Sequence, residues 1–91
     1  MSAQIQLRER LGLSDAAPLA RQILAEKGSD LVIDASRVSH IGSLCQQVLL
    51  AAAKEWQEDQ RTFRMCNPTD ACVQDLALCG LTPESFEGEV A

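Results

Sequence analysis

His40 and Cys45 lie where a helix N-terminus follows Gly42, and an imidazolium with a helix-end dipole would lower a thiol pKa toward a nucleophilic thiolate. The plainer reading is a small buried thiol and a loop histidine that could tune its surroundings with pH. Cys66, Cys72 and Cys79 are separated by five and six residues, which matches neither a C-x-x-C zinc pair nor a redox motif. Core packing explains them, so no metal site and no cofactor are expected. Asp34 closes the apolar run Leu31-Val32-Ile33, at a strand end where open α/β sheets place ligand crevices. It could instead hydrogen-bond the turn that follows. Ser43 suits the N-cap of a long helix, worth about 1 kcal/mol. Gly42 reads as a turn glycine of positive φ, or as a point where a partner backbone or bound phosphate comes close. The chain offers no P-loop, no paired catalytic carboxylates and no nucleophile with an evident base, so no catalytic residue is expected.

The elements that must position these residues are written in the periodicity. Gln4-Ile5-Gln6-Leu7-Arg8 alternates as a half-buried strand with Ile5 and Leu7 inward. Ser14 or Asp15 offers an N-cap and Pro18 sits in the first turn of a helix whose stripe pairs Leu19 with Ile23 and Ala20 with Leu24. That helix is predicted to stop at Lys27-Gly28. Asp30 to Asp34 has the pattern of a central strand covered on most of both faces. From Leu44 the period is helical, with Leu49, Ala52, Ala53 and Trp56 on one stripe widened by Leu44 and Val48. Trp56 reads as core rather than as an interface anchor, and Glu55, Glu58 and Asp59 as a solvated face. Thr62 to Cys66 alternates as a third strand with Phe63 and Met65 inward. Thr69 or Asp70 caps a last helix through Cys72, Val73, Leu76 and Ala77, with Gly80 as its αL stop and Leu81 folding back on Leu76. Residues 84–91 form either a frayed tail or a last turn docked by Phe86. The order β-α-β-α-β-α predicts an α/β fold, a single small domain over residues 1–91 with a mostly parallel sheet covered by helices.

Composition narrows the function. A chain of 91 residues can bury one small core, and with 46% apolar and 23% charged residues it should fold. Its net charge of −5 and scattered basic residues disfavour nucleic acid. The longest apolar run, Val48 to Ala53, is far short of a membrane span, and Met1 to Arg10 is polar where an export leader would be apolar. A cytoplasmic protein that works by surface recognition is the expectation.

The ordered set of segments resembles the STAS family. Leu31-Val32-Ile33-Asp34 stands as its core strand, Val38-Ser39-His40-Ile41-Gly42-Ser43 as its loop, and Val48-Leu49-Leu50-Ala51-Ala52-Ala53 as its helix. Phe63-Arg64-Met65-Cys66-Asn67-Pro68 and Leu76-Ala77-Leu78-Cys79-Gly80-Leu81 continue it, and Leu13-Ser14-Asp15-Ala16-Ala17-Pro18 resembles the turn into the family's first helix. The resemblance implies a non-catalytic regulatory module like the anti-anti-sigma factors. In those proteins a serine at the loop-to-helix junction, matched here by Ser43, is phosphorylated by a kinase that is also the anti-sigma factor. The implied partner is therefore a protein, a serine kinase or anti-sigma factor-like molecule, met by Ser39, His40, Ile41, Gly42, Ser43, Leu44, Gln46 and Gln47. Homo-oligomers are compatible with it. The alternative is a constitutive subunit of a larger complex such as a lipid-transport assembly. Gly42 stands where the family has an acid, and Leu44-Cys45 where it has a small residue and glycine. The chain also starts at what would be the family's second strand, which is expected to leave a sheet edge open.

Overall fold

Three five- and four-residue segments assemble into a parallel sheet because the connections between them, each carrying a helix, return the chain to the same end. The computed structural model describes residues 2–87. Strands β1 (Ser2–Gln6), β3 (Asp30–Asp34) and β5 (Phe63–Cys66) pair in the order β1-β3-β5, all parallel. Ile5 stands beside Ile33, and Ile33 beside Met65. Helices α1 (Ala16–Leu24), α2 (Ser43–Glu58) and α3 (Asp70–Leu78) complete one hydrophobic cluster with this face of the sheet. A second, two-stranded sheet joins β2 (Arg10–Leu11) to β4 (His40–Ile41), again in parallel.

Ile5, Leu7, Leu49, Ala52, Ala53, Trp56, Phe63 and Met65 are buried as their periodicity predicts. Trp56 is core: its indole N–H donates to the Ser29 carbonyl at 2.7 Å and its ring meets Phe63 edge-on with centroids 5.8 Å apart. Gly80 takes φ 77°, and the Leu81 N–H donates to the Leu76 carbonyl at 2.9 Å, the Schellman ending expected there.

Several faces differ from expectation. In β3, Leu31 and Ile33 are fully buried but Val32 is only half-buried, and its neighbours Gln4, Gln6 and Arg64 are exposed, so one face of the sheet is polar and open. Leu24, Leu44, Val73 and Ala77 are exposed because the buried stripes narrow to Ala16-Leu19-Ile23 in α1, to Cys45-Leu49-Ala52-Ala53-Trp56 in α2 and to Cys72-Leu76 in α3. α1 ends at Leu24, three residues early, and Lys27 in the following turn pairs with Glu55 of α2, which is therefore a tie rather than a purely solvated residue. Residues Pro83–Phe86 form a 3₁₀ turn with Phe86 fully buried, and the rest of the tail considered above lies outside the described residues beyond 87.

The four cysteines divide. Cys45 and Cys72 are buried, Cys66 is half-buried and Cys79 is exposed, so core packing does not account for Cys79. Burial, with the nearby Asp15 charge, pushes the Cys45 thiol above its usual range, and burial with Asp75 does the same to Cys72. A thiol reagent at neutral pH should therefore label Cys79 first, and Cys45 and Cys72 only on unfolding. Mass spectrometry of labelled peptides against time checks the order; early labelling of Cys45 would contradict it.

Candidate functional site

The segment from Ser39 to Gln47 turns from β4 into α2, and residues far away in sequence hold it. The Ser39 N–H and hydroxyl both donate to the Glu9 carbonyl, at 2.7 and 2.9 Å, and the His40 N–H reaches the same oxygen at 3.1 Å. The Gly42 N–H donates to the Leu11 carbonyl at 2.9 Å. From the other side Asp75 of α3 accepts from the Ile41 N–H at 2.9 Å, and the same Oδ2 lies 3.0 Å from His40 Nδ1. The Gln46 side-chain amide donates to the Ile41 carbonyl at 3.0 Å and the Asp75 carbonyl at 3.3 Å. Its buried Oε1 has no partner among the described residues. Thr69 adds a third tie, its hydroxyl donating to the Val38 carbonyl while accepting from the Cys72 N–H as the cap of α3.

This bracing sorts the residues expected at a docking surface. Ser39, His40, Ser43, Leu44 and Gln47 are exposed, whereas Ile41 and Gln46 are buried and serve as supports whose side chains cannot meet a partner. Leu13, 80% exposed, joins the exposed set across a surface depression of about 220 Å³ lined also by His40, Gly42, Ser43 and Leu44. Sequence reasoning missed Leu13 and Asp75 as parts of the site. Nothing local marks them, since both reach it only through tertiary packing.

Gly42, not Ser43, is the N-cap of α2: its carbonyl accepts from the Gln46 N–H at 3.1 Å, and Ser43 is the first helical residue. Gly42 has φ −72°, so positive φ is not why glycine stands there. A Cβ would meet the Leu11 carbonyl at 3.2 Å, and the close approach of β2 is the reason. Among the described residues no side chain caps α2, so its first N–H groups and the Ser43 hydroxyl stay free of intrahelical partners. The His40–Cys45 thiolate pair does not form: Cys45 Sγ donates to the Gly12 carbonyl at 3.4 Å while His40 engages Asp75.

Asp34 lies outside this surface. It accepts from the Ser36 N–H at 2.9 Å and from Gln4 Nε2 at 3.3 Å, the turn-holding role rather than a crevice ligand. The Ser36 backbone N–H, then the Ser36 hydroxyl, hold its carboxyl below the usual range. Among the described residues no cluster of His, Cys, Asp or Glu could hold a metal ion, and no helix is long and apolar enough to cross a membrane.

No curated protein and no solved structure matches the chain. A family model described as "Mlab, STAS domain" matches residues 1–83. With a β1-β3-β5 parallel sheet, three helices and that match over nearly its whole length, the chain belongs to the STAS domain family.

Proposed function

We propose that this STAS domain is a regulatory module that docks on a protein partner through the exposed rim of Ser39, His40, Ser43, Leu44 and Gln47 with Leu13, and that phosphorylation of Ser43 releases it. STAS domains generally mediate protein–protein interaction and are generally non-catalytic, and the family is of the anti-sigma factor antagonist type. The observation that carries the switch is the position of Ser43. Its side chain is exposed at the first turn of α2, is not spent as a cap, and stands beside two exposed leucines, Leu13 and Leu44.

A phosphate there adds roughly −1.5 to −2 charges in the middle of an apolar contact. The uncapped N–H groups of α2 accommodate the anion, so the fold persists while the docking surface is lost. The partner this fits is a serine kinase that is also an anti-sigma-like protein, in a bacterial stress or chemotaxis pathway of the cytoplasm. A second reading is favoured by the same two leucines: exposed apolar residues suit permanent docking in a larger assembly such as a lipid-transport complex.

Affinity capture from the native cytoplasm with wild type, Ser43→Ala and Ser43→Asp separates these readings. The switch predicts a partner kept by alanine and reduced at least about tenfold by aspartate, with phospho-Ser43 found by mass spectrometry. A partner held equally by all three establishes permanent docking and removes the switch.

A further inference from the structure

We propose that a second copy of this chain pairs along the free edge of β1, antiparallel, across a two-fold axis at Gln4, joining two three-stranded sheets into one. The two ends of the sheet are unlike. The Pro83–Phe86 turn packs on β5, whereas β1 pairs with β3 alone among the described residues.

The backbone of β1 dictates the register. The Leu7 N–H donates to the Asp34 carbonyl at 2.9 Å, and successive residues of a strand alternate in direction. Ala3, Ile5 and Leu7 therefore turn their amide groups to β3, and Ser2, Gln4 and Gln6 turn theirs outward. A two-fold axis at Gln4 makes Gln4 its own hydrogen-bonded partner and sets Ser2 opposite Gln6, so every outward N–H and C=O of the strand is used. A slip of one residue would bring inward-turned groups to the seam. Ala3, half-buried against the core, then faces Ile5 of the second copy on the helix-covered side, and only Ser and Gln meet on the polar side. β1 also lacks the usual guards of an edge: Ser-Ala-Gln-Ile-Gln holds no charge and no proline in a chain that is 23% charged.

Sedimentation equilibrium of the full chain tests this. Wild type is expected to shift toward twice its 9.9 kDa mass as concentration rises. Gln4→Pro removes an outward donor that the internal ladder does not use, and should sediment as a folded monomer. Gln4→Lys keeps a donor for Asp34 and sets like charges opposite each other at the axis, so it should also be monomeric, and an equimolar mixture with Gln4→Glu should restore the dimer. Circular dichroism confirms folding, and the lysine variant carries the test if the proline variant is unfolded. A wild type that stays monomeric up to about 1 mM, a dimer indifferent to these variants, or a mixture that fails to pair overturns the proposal.

Discussion

Phe86→Ala is expected to lower folding stability by about 3–5 kcal/mol, the range for truncating a fully buried aromatic. The residue has no measurable exposure, and its turn packs against both β5 and α2. The turn is itself set by a local pair: the Ser85 N–H donates to the Thr82 carbonyl and the Thr82 N–H to the Ser85 hydroxyl, both at 2.9 Å. Removing the ring leaves that turn formed but undocked and opens the end of the core between α2 and β5. A domain of this size has a total stability of about 5–15 kcal/mol, so the variant stands near the limit of folding. Urea denaturation should show the midpoint falling with the slope kept. A loss below about 1 kcal/mol would mean that the core closes without Phe86.

Asp75→Ala is the second large effect, and it reaches the proposed docking surface. One carboxylate oxygen holds the Ile41 N–H and faces His40, so alanine strands a part-buried amide and frees the imidazole. A hydrogen bond to a charged group is worth about 1.5–3 kcal/mol, and a side chain 23% exposed to water should fall toward the lower end. Amide hydrogen exchange at Ile41 is the decisive readout. Protection should drop at least about tenfold relative to β3 amides in Asp75→Ala and be largely kept in Asp75→Asn, which retains an acceptor. Equal loss at Ile41 and across β3 would show a general destabilisation instead of a local latch. Partner capture should weaken with alanine, because the rim of His40 to Leu44 then loses its side-chain tie to α3, while the Gln46 amide on the Asp75 backbone carbonyl and the Thr69 hydroxyl on Val38 remain.

Local pattern was sufficient wherever one element decides its own conformation. Alternation in 62–66, the acids bounding Leu31-Val32-Ile33 and the Gly80-Leu81 ending record short-range backbone and burial preferences, and the strands and the Schellman turn stand where those residues place them. The pairing of β2 with β4 left no trace, because two residues per strand carry no period. The place of Gly42 as cap of α2 goes with the hydrogen bond of its N–H to the Leu11 carbonyl, a contact between segments 31 positions apart. Gln46 and Ile41 were expected on the docking surface, and only the arrival of Asp75 from α3 shows them to be supports. Phe86 could dock or fray according to whether a cavity awaited it between α2 and β5, and that cavity exists only once the sheet and helices have assembled. Sequence by itself thus determined the three strands of the main sheet, the three helices, their order and the family they compose. The tertiary structure decided which faces are covered and what braces the loop, because those depend on contacts between residues that no local periodicity connects.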